Sequence, residues 1–286
     1  MEKFINEKVV VYISKFTNTK VIKALKDGMM FSLPFLMIGS LFLLIANLPI
    51  KSLNTLVAEC GLADICSQVY SSTFSLMALF TVVGITYSYL KNDKISTAVN
   101  GALTGLAAFV LLTPSSKVLE NGEAVTGVIS KDWTAGQGMI CAILIGFLVG
   151  YIYSLCIRKD IRVKMPEGVP PGVADSFSSL LPTGIITIIC AIIYAVCHFV
   201  FKTTFAELIY SAIQIPLQGV TDSFAGVVIM TVMMSLLWWT GVHGGSICGG
   251  ILSPILQANM AANQKILDSG VALTVQNGGH IFTQQF

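Results

Sequence analysis

Along this chain apolar residues gather into six runs, 28–48, 69–90, 95–112, 135–157, 183–201 and 224–242. Each is close to the roughly 20 residues that carry a helix across a bilayer core. Only residues 91–94 separate the second run from the third, which predicts a tight antiparallel helical hairpin. Ahead of the first run, 4–26 sets Val10, Ile13, Phe16, Val21 and Leu25 among lysines. That pattern suits a helix on the inner leaflet or one packed on protein. Between the fifth and sixth runs, Phe205, Leu208, Ile209, Ala212, Ile213 and Leu217 form one helical stripe, with Glu207, Ser211, Gln214 and Gln218 on the other face. This 204–218 segment reads as an amphipathic helix in the outer interface, kinked or ended near Pro216. The loop 113–134, with Asn121-Gly122 inside it, reads as a β-hairpin lid. The run 247–262 is interrupted by Gly249-Gly250 and Pro254 and turns polar at Asn263, Gln264 and Lys265. It reads as a kinked helix or half of a hairpin.

Composition makes the membrane assignment firm. With 54% hydrophobic residues, 11% charged and a mean hydropathy of +0.78, the chain has more apolar surface than a soluble protein of 286 residues can bury. The net charge of +2, without basic residues interleaved with aromatics, gives no nucleic-acid signature. With the N-terminus in the cytoplasm, Lys3, Lys8, Lys15, Lys20, Lys23, Lys26, Lys91, Lys94, Arg158, Lys159, Arg162 and Lys164 lie inside, and Lys51, Lys117, Lys131 and Lys202 outside. That asymmetry follows the positive-inside rule. The apolar runs lack the ionisable residues an ion-coupled carrier needs. The seven cysteines are scattered, with no metal-ligand spacing, and read as small hydrophobes; Cys60 and Cys66 read as free thiols in an outer loop. No cofactor or metal is expected. Small residues at Ser96, Thr97, Asn100, Gly101, Thr104 and Gly105, and at Gly146 and Gly150, point to close helix packing.

Two segments carry chemistry. The first is Trp238-Trp239-Thr240-Gly241-Val242-His243-Gly244-Gly245, an ionisable ring at the end of an apolar run, followed by glycines. A break at Gly244-Gly245 would place non-helical backbone at membrane depth, tolerated only where it lines a cavity or is buried in protein. A neutral imidazole both donates and accepts a hydrogen bond, and Trp239 lies one turn earlier. The alternative for His243 is a buried structural histidine bonded to a carbonyl. Trp238 reads as facing lipid or a neighbouring helix, His198 as meeting headgroups or water, and His280 as a loop residue. The second segment runs from Met165 to Pro182 and contains Pro166-Glu167-Gly168-Val169-Pro170-Pro171, Ser176-Phe177 and Leu181-Pro182. Its prolines forbid a regular helix up to Gly172, with an amphipathic turn near Asp175-Ser176 before Pro182 opens the next span.

That second segment closely resembles the signature of the membrane-embedded IIC subunit of bacterial sugar phosphotransferase systems, in the lactose/cellobiose (diacetylchitobiose) group. The resemblance covers the whole chain. It implies an all-α integral membrane protein of about six to seven transmembrane helices. Residues 1–202 would form a dimer-interface domain, 203–218 an amphipathic connector, and 219–286 the beginning of a re-entrant transport domain. It further implies a disaccharide substrate of cellobiose, chitobiose or lactose type held at His243, Gly244, Gly245, Ser246 and Trp239. The implied partners are IIB, whose phosphocysteine phosphorylates the sugar, and IIA, in a homodimer within the bacterial cell membrane. The chain would have no catalytic nucleophile of its own. Two departures stand out: Gly245-Ser246 replaces the Asn or Asp common after the His-Gly pair, and no Asn-x-x-Glu-Pro motif occurs before Phe286. These lead to the expectation of a C-terminally truncated permease, with a non-transporting membrane scaffold as the rival reading.

Overall fold

The computed structural model describes residues 15, 18–46, 51–119, 122–166, 168–239 and 244–283. The first span begins earlier than hydropathy alone marks it. Helix α1 (Lys20–Met30) and helix α2 (Leu33–Ala46) form one apolar stretch interrupted at Phe31-Ser32. Pro34 lies just beyond the interruption, and it lacks the N–H that would bond the Met30 carbonyl. Ala24, Leu25, Gly28 and Met29 are buried, so α1 packs on protein rather than lying on lipid.

After α3 (Lys51–Glu59), the partner of α1 is α5 (Met77–Asn92), the second half of a long apolar helix begun by α4 (Leu62–Thr73). A Cβ on Gly84 would fall 2.4 Å from the Gly28 carbonyl oxygen, and one on Gly28 would fall 2.6 Å from the Ile85 backbone. Two glycines thus let two backbones touch, which gives dispersion energy where water provides none. Helix α6 (Ala98–Leu112) and helix α8 (Met139–Arg158), with α7 (Lys131–Thr134) ahead of it, complete the packed core around Val82, Leu90, Phe109, Leu112, Ile145 and Tyr153. The small residues noted in the sequence sit at these contacts: Gly101 against Leu90 and Tyr153, Gly105 against Thr86, Gly146 against Ile85, and Gly150 against Tyr89. At 15 residues, α6 spans about 22 Å, short of a ~30 Å hydrocarbon core.

The turn between α5 and α6 is as tight as expected. Lys94 adopts a left-handed conformation, φ 57°, and the Ile95 N–H returns to the Leu90 carbonyl. Asp93, in that turn, receives Lys20 from α1 and both Ser154 and Arg158 from the end of α8, while the Lys20 ammonium also lies 3.8 Å from the Tyr89 ring centroid. In the loop 113–134, β1 (Ser116–Val118) pairs antiparallel with β2 (Ala124–Thr126), with Lys117 opposite Val125. The predicted hairpin is present; Asn121 in its turn lies outside the described residues.

Three local expectations are corrected. Cys66 is not in a loop but buried on α4, and both it and Cys60 are free. Pro182 does not open the fifth span. That span starts at Pro171, which occupies the first position of α9 (Pro171–Ser178), and continues through α10 (Leu180–Val196) to Phe201. A proline is harmless in a first turn, where its N–H has no helical partner. Nor does Pro216 end the connector. A capping box between Thr204 and Glu207 opens α11 (Phe205–Ile209), a π-helical turn covers Tyr210–Gln214, and α12 (Ile215–Thr221) runs five residues beyond the proline. The widened turn gives the proline ring room.

Among the described residues four helices are long and apolar enough to cross a membrane; a fifth span counts Phe205–Thr221 with Phe224–Leu236, which meet at an 80° bend. Helix α13 (Phe224–Trp239) leads from that bend to α14 (Gly244–Asp268). The protein is a multi-pass membrane protein of helical class, with the two-stranded hairpin as the sheet among the described residues.

Candidate functional site

Two helices flank the segment in which the sequence placed a histidine. Helix α13 ends at Trp239 and α14 begins at Gly244. Thr240, Gly241, Val242 and His243 lie outside the described residues, as does the side chain of Trp239. The expected break at Gly244-Gly245 is not found at those glycines, which with Ser246 belong to helix α14.

Of the two readings of 247–262, a single helix is the one found, since α14 is continuous to Asp268 with Pro254 inside it. A proline ring presses on the carbonyl four residues earlier, and that residue is Gly250, which adjusts its backbone at low steric cost. The polar residues beyond the proline do not mark the helix end. Two asparagines lie on its buried face: Asn259 is fully buried and Asn263 is 8% exposed.

Those asparagines read the backbone of the segment that follows. The Asn263 Nδ2 donates to the His280 carbonyl and its Oδ1 accepts from the His280 N–H, both at 2.7 Å, and the Asn259 Nδ2 donates to the Phe282 carbonyl at 2.9 Å. From the other side comes Asp222, at the 80° bend. Its Oδ1 accepts from the Ile281 and Phe282 N–H groups at 2.7 and 2.9 Å, and its Oδ2 lies 3.2 Å from the His280 Nδ1. The loop position expected for His280 is correct, but its ring is tied to the bend. Sequence reading missed Asp222, Asn259 and Asn263; the available signal was the four-residue spacing of two amides on one helix face.

The expected polar face of the connector is buried in part, with Gln214 and Gln218 1% and 5% exposed, while of the apolar stripe Phe205, Ile209 and Ile213 pack on the core and Leu217 is 37% exposed. In a membrane the stripe that faces protein can be the polar one, because lipid accepts apolar side chains without cost. Gln214 Nε2 donates to the Gly136 carbonyl at 2.8 Å. Gly136 meets Ala258 of α14 closely enough that a Cβ there would lie 2.8 Å from the Ala258 Cα. Helix α14 is thus pressed against the turn ahead of α8, 14 residues from Gly244, or about 21 Å along its axis. Nearby, Asp132 lies 3.2 Å from Lys265 and 3.9 Å from Lys117. Burial pushes its carboxyl up, but the Ser130 hydrogen bond and the two lysines outweigh that and hold it below the usual aspartate range. Among the described residues no group of three or more His, Cys, Asp or Glu could hold a metal ion.

The signature segment closes the opposite end. Tyr153, fully buried, lies 2.8 Å from Ser179 Oγ and 3.0 Å from Thr97 Oγ1. Ser179 donates its own proton to the Asp175 carbonyl at 2.7 Å, so Tyr153 donates to Ser179 and accepts from Thr97. Ser178 reaches the Val163 carbonyl, and Thr183 lies 2.8 Å from Thr104. The motif is a structural joint tying α6, α8 and the α9–α10 junction together.

A family model described as "Phosphotransferase system, EIIC" matches residues 26–286. The chain is 31% identical over 285 residues to the oligo-beta-mannoside-specific EIIC component of Bacillus subtilis (strain 168), covering 99% of this chain and 63% of that protein. It is 30% identical over 298 residues to the cellobiose-specific EIIC component of Geobacillus stearothermophilus, covering 100% and 65%. A crystal structure of the transporter ChbC, the IIC component of an N,N'-diacetylchitobiose-specific phosphotransferase system, superposes with a TM-score of 0.91 at 30% identity, covering 99% of this chain and 66% of that one. The chain thus spans slightly less than two thirds of the length of these relatives.

Proposed function

Because the chain belongs to the EIIC family of the phosphotransferase system, we propose that it acts as the sugar-translocating membrane component of such a system, with a disaccharide of cellobiose, chitobiose or lactose type as substrate. The observation that carries this reading is the likeness to IIC proteins, which runs from residue 26 to residue 286 and includes the segment in which Trp239, His243 and Gly244-Gly245 follow an apolar run. In this reading His243 exchanges hydrogen bonds with a sugar hydroxyl, Trp239 covers a sugar face, and the backbone of Gly244, Gly245 and Ser246 supplies donors.

The basic turns at Lys91, Lys94, Arg158, Arg162 and Lys164 belong to the cytoplasm in this reading, and the hairpin and Lys131 to the outside. Residues 1–202 serve as the interface domain of a homodimer, and the bend at Asp222-Ser223, just past the connector, joins it to the first part of the transport domain. IIA passes the phosphoryl group to IIB, and the IIB phosphocysteine then gives it to the sugar 6-hydroxyl: the S–P bond breaks, an O–P bond forms, and the hydroxyl proton leaves. This chain contributes position and exclusion of water, not the phosphoryl donor.

The test uses purified protein in a detergent without a sugar headgroup. Cellobiose binding is measured by titration calorimetry, and assembly by light scattering. His243→Ala is expected to abolish binding at this site and leave the dimer intact. Full retention of binding would remove His243 from the site.

A further inference from the structure

Beside the packed outer end of α14 lies a cavity of about 520 Å³, half open, within the roughly 300–1,000 Å³ typical of small-molecule sites. Its wall on α14 runs from Ala258 to Asp268, at least 14 residues from Gly244, so it is separate from the segment that holds His243 by about 21 Å of helix. We propose that this cavity is a second saccharide site, an outer antechamber that takes a neutral glycosyl unit before it reaches His243.

Charge and chemistry argue for a neutral, hydroxyl-rich ligand. The wall holds two cations, Lys131 and Lys265, and two carboxylates, Asp132 and Asp268, so its formal charge cancels. Four glutamines, Gln137, Gln214, Gln218 and Gln264, offer amides that both donate and accept, which a polyol matches and a purely apolar molecule does not. Tyr70 and Tyr210 bring ring surfaces, and Ala258, Ala261 and Ala262 a smooth apolar side, suited to the C–H face of a sugar ring. Tyr210 is itself braced edge-to-face by Trp133 at 5.8 Å.

Gln214 adds an independent pointer. Only its NH₂ can donate to the Gly136 carbonyl, so the amide orientation is determined, and its Oε1 is left buried without a hydrogen-bond partner. A buried acceptor of this kind is costly unless a donor meets it, and a ligand hydroxyl is such a donor. The glutamine pair is one turn apart on the connector, with Ile215, Leu217 and Val220 exposed around it. The sequence has therefore kept amides on the protein-facing side, where helix packing alone could use alanine.

The saccharide class rests on the transport reading above, whereas the site rests on the cavity. The test is cellobiose titration by calorimetry in the same sugar-free detergent, on the parent protein, His243→Ala, Gln214→Met and Gln264→Trp. Gln214→Met keeps the volume and removes the acceptor. Gln264→Trp fills the rim from a partly exposed position, so it leaves the core packing untouched. The parent is expected to bind two equivalents and His243→Ala one. That remaining equivalent weakens about tenfold in Gln214→Met on the His243→Ala background and vanishes in Gln264→Trp. Binding abolished by His243→Ala and indifferent to both glutamine changes would overturn the antechamber and leave the transport reading standing. No cellobiose binding by the parent would overturn both.

Discussion

The carboxylate of Asp93 offers a sharp energetic test of how this bundle is held at its basic end. Its side chain is 5% exposed and is met by Lys20, Arg158 and Ser154. Asp93→Asn preserves the shape and removes the charge. Arg158 is 61% exposed, so its pairing is worth no more than about 1 kcal/mol. Lys20, 28% exposed and held against Tyr89, and the buried Ser154 hydroxyl make charge-assisted bonds of ~1 kcal/mol each after partial solvation. The sum is a loss of about 2–3 kcal/mol, or roughly 5 °C in Tm for a chain of this size. Burial pushes the Asp93 carboxyl up, but the hydrogen bonds from Lys20 and Ser154 and the charges of Lys20 and Arg158 outweigh it and hold the group below its usual range. A depressed folded-state value means the unfolded chain binds the proton more readily. The stabilisation is therefore full above the unfolded value and fades as pH falls below about 4. Fluorescence-monitored melting in detergent, for parent and variant across pH, measures the gap. A variant within about 1 °C of the parent at neutral pH, or a gap that closes between about pH 7 and 5, refutes the reasoning.

Other consequences are equally open to measurement. Gly84→Ala drives a methyl into the Gly28 carbonyl, and because the obstacle is backbone, it should cost about 2–3 kcal/mol and lower the melting temperature; a neutral effect would mean that α1 slides freely on α5. Tyr153→Phe leaves Ser179 and Thr97 without their shared buried hydroxyl and should cost about 1–2 kcal/mol, whereas Tyr151→Phe, on the exposed side of α8, should cost nothing measurable.

The order and class of the elements were legible from residue pattern alone. Hydrocarbon supplies no hydrogen bonds, so an apolar run of sufficient length can only be a helix, and its position follows from hydropathy without knowledge of neighbours. The 91–94 turn and the 113–134 hairpin were legible for similarly local reasons. What composition could not decide was which face of each helix meets protein. Lipid and protein interior are equally apolar, so the moment of the connector pointed its glutamines outward, while packing turned Gln214 and Gln218 inward. Proline and glycine were overread for a related reason. Pro182, Pro216 and Pro254 look like helix breakers locally, yet a helix start, a π-turn and a glycine four residues back accommodate them. Of the proposed site, the sequence itself singled out the histidine and its glycines, because an ionisable ring in an apolar run is conspicuous. The tertiary fold alone brought Asp222 onto the 279–283 backbone and joined Gln214 to Gly136 across 78 positions, since contacts between distant segments depend on how helices cross.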